Sequence, residues 1–217
     1  MISIALRTDL NISYFKQNIL SILSYPDFDS VVICSGYFQE NNKYSVTGDE
    51  IVKTILANPN FGKISYTIIG GNFGYTFRGV KPDWHNQFDS FLNSLKTNGI
   101  SFNAFLERRR KWHAKIAIGL QEKTPKVAII GSSNFTAPAY SENHNTYNVE
   151  CDIILLLKEK QLENHFNLQS FVTADNPLSP IIANIDFDFN QPDLLERLQA
   201  INRELMDGEN LEEYTDF

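Results

Sequence analysis

The chain has 217 residues, 42% of them apolar, which is enough for one sizeable core and excludes global disorder. No apolar run approaches the roughly 18 residues that span a bilayer, and Met1–Ala5 lacks the basic-then-apolar pattern of a secretion signal, so a cytoplasmic protein without membrane contact is expected. The net charge of −7 argues against nucleic-acid binding over the whole surface, but the charge is unevenly spread.

In chain order, runs rich in β-branched and aromatic residues mark strands at 31–38, 64–70, 100–106, 112–120, 126–131 and 149–157. Apolar spacings of three and four mark helices at 13–24, 49–57, 84–96, 160–172 and 193–206. In the third helix Trp84, Phe88, Phe91, Leu92 and Leu95 form one core stripe. Continuous apolar strands alternating with helices predict an α/β fold: a mixed sheet covered by helices on both faces. Residues 1–173 are assigned to one main domain. Residues 174–217 are read as a proline-containing connector, an acidic helix and a frayed tail.

Two glycine-rich breaks occur, at 70–79 and 131–140. The first lacks the Lys-Ser/Thr of a P-loop and is read as a mobile loop near the site. Cys34 and Cys151 both sit in apolar runs, as buried reduced thiols do. No CxxC or HExxH spacing offers a zinc site, and no cofactor is expected.

Seven basic residues face only Glu107 and Glu122 between 101 and 130, whereas ten acids face Arg197 and Arg203 between 183 and 217. Arg108, Arg109, Arg110 and Lys111 therefore form a local strip that can meet a polyanion. His113 and Lys115 follow on a predicted strand, where residues two apart share a face. A lysine on a buried strand is rare unless paired. Gly131-Ser132-Ser133-Asn134 then ends a strand with a hydroxyl, an amide and backbone N–H groups that suit an anion. Glu150 interrupts the next apolar run and needs a partner.

These residues resemble a known family. His113-x-Lys115 followed by Gly131-Ser132-x-Asn134 is similar to the signature of the phospholipase D superfamily, with Glu150 where its nuclease branch places an acid. Ser35-Gly36-Tyr37-Phe38 after a buried strand resembles the first half of single-motif members, which include small bacterial nonspecific nucleases and the catalytic domains of metal-independent restriction enzymes. The likeness in element order covers residues 1–160. One departure stands out: the aspartate that the family places five residues after the lysine is Leu120 here.

The resemblance implies a metal-independent phosphodiesterase. His113 would be the nucleophile, Lys115, Asn134 and Ser132 would hold the phosphoryl oxygens, and Glu150 would orient an imidazole. The chain has one motif and the chemistry needs two histidines, so a homodimer with a composite site is implied; His85, His144 and His165 lack the motif spacing. Nucleic acid is the expected substrate, with an ATPase or helicase of a defence system as a partner that would supply target choice. A phospholipase or phosphatidyl transferase, and a catalytically silent binding module, remain as alternatives. Around the motif, Tyr37 is a candidate lining residue, Trp112 and Tyr140 are candidates for base stacking, and Asn143, His144 and Asn145 form a polar loop that meets substrate or solvent.

Overall fold

In the computed structural model, residues 1–9, 11–71, 83–107, 115–173, 175–184, 192–215 and 217 are described. His113, Trp112, the strip Arg108–Lys111 and most of the first glycine-rich segment lie outside these residues.

In chain order the elements are β1 (Ile2–Leu6), α1 (Tyr14–Ser24), β2 (Ser30–Ser35), β3 (Glu40–Asn41) and β4 (Tyr44–Ser45), then a kinked turn over Thr47–Ile51 leading into α2 (Val52–Ala57). They continue with β5 (Ser65–Gly70), α3 (Asp83–Thr97), β6 (Phe102–Glu107), β7 (Lys115–Gln121), β8 (Thr124–Gly131) and α4 (Ala137–Tyr140). The chain closes with β9 (Cys151–Leu156), α5 (Lys160–Phe166), a 3-10 turn over Leu168–Phe171, β10 (Ile181–Ala183), α6 (Leu194–Leu205) and β11 (Leu211–Glu213).

Nine strands make one mixed sheet in the order β10-β1-β9-β8-β7-β2-β5-β6-β11. Strands β2, β5 and β6 run parallel, and every other neighbouring pair is antiparallel. The apolar run of β2 is explained by burial on both faces. Val31 and Ile33 join a large core with α1, α2, α3 and α5, while Val32 and Cys34 join a smaller one under α6. The expected helices on both faces are therefore present, unequally shared.

Local signals match the elements. Ser13 caps α1 by accepting from the Lys16 N–H, and Asp193 and Glu196 form a reciprocal capping box on α6. The expected stripe of α3 is buried in full. Lys16 is buried too, held by Asp49 at 2.7 Å and Glu50 at 2.8 Å from the kinked turn, so α1 and the entry to α2 are tied by charge.

Three expectations need correction. The segment 174–217 supplies both sheet edges: β10 pairs with β1 and β11 pairs with β6, so neither a bare connector nor a frayed tail describes it. Tyr214 donates to Asp89 at 2.5 Å, and Phe217 packs on Phe102. Cys151 is exposed rather than buried, because its odd position in β9 faces away from the large core; both cysteines are free. Tyr140 is fully buried against Phe15 and Phe135, which removes it from base stacking. Among the described residues no helix is long and apolar enough to cross a membrane.

Candidate active site

One end of the sheet collects the motif. The register pairs Gly70 with Ser35, Lys115 with Gly131, Gly131 with Asp152, and Asp152 with Ala5. Cys34 pairs with Ile116, which places Ser35 beside Lys115 one step further along. A row of small and polar residues therefore crosses strands whose middles are mostly apolar. Gly131 makes room for it, while Gly70 makes room for Phe88 and Leu106. A Cβ on Gly131 would lie 1.8 Å from the Asp152 carboxylate oxygen, so only glycine admits that carboxylate.

Lys115 is 4% exposed. Burial pushes its pKa down, and Glu150, Cys34 and Asp152 push it back up. The ammonium is thus a buried cation at the mouth of the sheet, facing acids supplied by β9 and the residues just before it.

The turn after β8 carries the anion-binding candidates. Asn134 accepts from the Ser35 hydroxyl at 3.4 Å through Oδ1, which leaves its two Nδ2 hydrogens to meet another acceptor. A parallel bridge between Phe38 and Phe135 and the bond from the Gln39 N–H to the Phe135 carbonyl, 2.7 Å, fasten this turn to the exit of β2. Ser132 is exposed, and its hydroxyl, expected to meet an anion, donates to Glu150 at 2.5 Å. That hydroxyl also accepts from the Cys151 N–H at 3.1 Å. Glu150 is buried and takes a second bond from Asn148 Nδ2 at 3.0 Å. Lys115, Ser132, Asn134 and Glu150 are thereby brought together, whereas His113 and Arg108–Lys111 fall outside the described residues.

Around them stand residues that sequence reasoning missed. Asp152 is buried and accepts from the Ser133 hydroxyl at 2.6 Å and the Ser133 N–H at 3.4 Å. Its position two residues after Glu150, on the same face of an apolar strand, was the available signal. Arg7 is buried: its N–H donates to the Glu150 carbonyl at 2.8 Å, and its guanidinium donates to the carbonyls of Pro138, Ala139 and Ser141 at 3.1, 2.6 and 2.7 Å. Tyr37 donates to Asp83 at 2.6 Å, and its pKa is pushed up to about 12 by burial and that carboxylate. Asn143 and Asn145 are exposed in the loop before Glu150, with His144 half-buried.

Leu120, where the family carries an aspartate, lies in the smaller core beside Val32 and Ile118. An aspartate there would be desolvated among apolar side chains, so the departure is consistent with this packing.

Burial pushes the Asp152 carboxyl from 3.8 up to about 6, with Glu150 adding to the rise and Ser133 and Arg7 opposing it. A carboxyl raised on folding holds its proton more tightly in the fold, so its contribution to stability is full below pH 3.8 and is lost as pH rises through about 6. Asp152→Asn mimics the neutral acid. At pH 8 it should be more stable than the wild type by up to about 3 kcal/mol, the worth of a two-unit shift. Urea unfolding at a series of pH values checks this: the gain should shrink as pH falls from 6 to 4, and a gain independent of pH would contradict it.

Residues 16–179 match the family model of the NgoFVII restriction endonuclease N-terminal PLD domain, PLD denoting phospholipase D. A search of curated proteins finds no match. Among solved structures, phosphatidylserine synthase from Haemophilus influenzae Rd KW20 is 9% identical at a TM-score of 0.50, over 98% of this chain and 45% of that one, a likeness of fold. NucT from Helicobacter pylori is 16% identical at a TM-score of 0.43, over 79% of this chain and 92% of that one. Yeast tyrosyl-DNA phosphodiesterase is 12% identical at a TM-score of 0.34, over 71% of this chain and 31% of that one. The chain thus spans under half the length of the synthase and about a third of the yeast enzyme. With three quarters of its length matched, and with that end of the sheet assembled as described, the chain belongs to the family of the NgoFVII restriction endonuclease N-terminal PLD domain, a family of phosphodiester hydrolases.

Proposed function

We propose that this chain is a metal-independent nuclease that cleaves phosphodiesters of DNA or RNA in a composite site shared by two copies. The observation that carries the reading is the buried Lys115 cation beside the Asn134 turn and the Glu150 carboxylate. A phosphodiester is an anion that resists attack by other anions. A fixed ammonium and a pair of amide hydrogens offset that charge as it grows in the transition state.

In this reading the neutral imidazole of His113 attacks phosphorus and forms a phosphohistidine. The leaving oxygen takes a proton from the imidazolium of the partner subunit's His113. That ring, now neutral, takes a proton from water, whose oxygen displaces the phosphoryl group and restores His113. Glu150 orients one of the two rings from its seat between Ser132 and Asn148. Arg108, Arg109, Arg110 and Lys111 contact flanking phosphates. The strip gives grip without base readout, so target choice falls to a partner, an ATPase or helicase of a restriction or defence system.

Plasmid DNA, single-stranded DNA, RNA and a phospholipid are incubated in excess EDTA with wild type and with His113→Ala. Wild type should cleave nucleic acid in EDTA, and the variant should lose at least about 10³-fold. Cleavage only on adding a divalent metal would overturn metal independence, and cleavage of the lipid alone would overturn the substrate. Gel filtration of the active species tests the shared site, which a fully active monomer would contradict.

A further inference from the structure

Asp152 has no part in the chemistry above, yet its surroundings are built around it. The carboxylate occupies the space a side chain at 131 would fill, lying against Gly131, the direct cross-strand neighbour of both Lys115 and Asp152. Both of its oxygens are used by Ser133, the residue between Ser132 and Asn134, which is itself fully buried. A carboxylate is costly to bury, and an apolar residue at 152 would fit a strand whose inward neighbours are Ile154 and Leu156.

We propose that Asp152 is a positioning residue of the phosphodiester site, clamping the Gly131–Asn134 turn through Ser133 and holding Lys115 in its charged form across Gly131. The proposal deepens the function assigned above, since it concerns the same cation and the same turn. Two effects follow from one carboxylate. The clamp fixes where the Asn134 amide sits, because Ser133 cannot shift without breaking both bonds. Burial works to strip the proton from Lys115; the Glu150 carboxylate opposes it most, and the Asp152 charge adds to that opposition from across Gly131. Glu150, Arg7 and, across Gly131, Lys115 are the charged groups that face Asp152 itself; Glu150 opposes its ionisation and Arg7 favours it.

Lys115 is followed directly by NMR with ¹³Cε-labelled lysine, the signal being assigned by its loss in Lys115→Arg. In Asp152→Asn, which retains an acceptor and a donor for Ser133, the Lys115 pKa should fall by roughly half a unit or more. The basic limb of the pH profile for nucleic-acid cleavage should move down with it, and kcat should drop about tenfold at pH 8 with KM little changed. Ser133→Ala should lower kcat while leaving the Lys115 titration nearly in place, separating the clamp from the charge. An unmoved Lys115 titration in Asp152→Asn would overturn the proposal, as would a cleavage profile identical to wild type. The NMR titration needs no substrate. Inactive wild type with a shifted Lys115 would therefore count against the nuclease reading and leave the charge pairing standing.

Discussion

Lys115→Met should lose nucleic-acid cleavage by roughly 10²–10³-fold or more, the cost of removing one preorganised charge from a phosphoryl site, while folding nearly as well as the wild type. Methionine matches the length and volume of the lysine stem, and the position is only 4% exposed, so the side chain has one place to go. Two stability effects oppose each other. Removing a cation whose burial drives off its proton is favourable; leaving Glu150 and Asp152 without their counter-charge is not. Glu150 keeps its bonds from Ser132 and Asn148, and Asp152 keeps those from Ser133, so neither acid is left bare. The net change in unfolding free energy should stay within about 2 kcal/mol. Cleavage in EDTA and urea unfolding on the same preparation read both quantities, and a variant within tenfold of wild-type activity would remove Lys115 from the chemistry.

The opposite pattern is expected of Arg7→Ala, where the loss of fold comes first. The guanidinium serves three carbonyls in succession along 138–141 from inside the protein, with Nε reaching the Asp9 carbonyl at 3.4 Å. Alanine would leave the Ser141 carbonyl without its donor, at about 1–3 kcal/mol for an unsatisfied group, whereas Pro138 and Ala139 keep bonds from the Asn148 N–H and the Ser13 hydroxyl. With the buried stem also removed, the expected destabilisation is about 2–4 kcal/mol, a large share of the stability of a domain this size. Lysine should recover only part of it, since one ammonium cannot present the planar fork that spans Pro138 and Ser141. Urea midpoints of the two variants at constant m-value decide the matter. A loss below about 1 kcal/mol in Arg7→Ala would mean that the loop finds other donors.

Much of this architecture is legible in the sequence because continuous β-branched runs such as Val31–Cys34 fit only a sheet buried on both sides. The grouping of Lys115, Asn134 and Glu150 is legible too, since each is a polar interruption at a strand end. What escaped reading has physical reasons. The strand Ile2–Leu6 turns Ser3 and Ala5 inward and leaves Ile4 41% exposed, reversing the usual alternation. Arg7, at the end of that strand, looks like any surface arginine until the loop folds over it. Asp152 is masked by the apolar residues around it, and its meaning depends on a glycine 21 positions earlier that only pairing brings near. The edge strands β10 and β11 are three residues each, too short for any period to register.

Those two short edges carry a consequence for how the protein is made. Each seals a strand synthesised long before it: β11 covers β6, and β10 covers β1. On a ribosome adding about 5–20 residues per second, the aromatic stretch Phe102–Glu107 would wait roughly five to twenty seconds for its last neighbour. During that interval its open backbone groups are a template for pairing with another nascent chain. Yield in the cell should therefore depend on elongation speed and on chaperones that shield the stretch until residues 211–213 emerge.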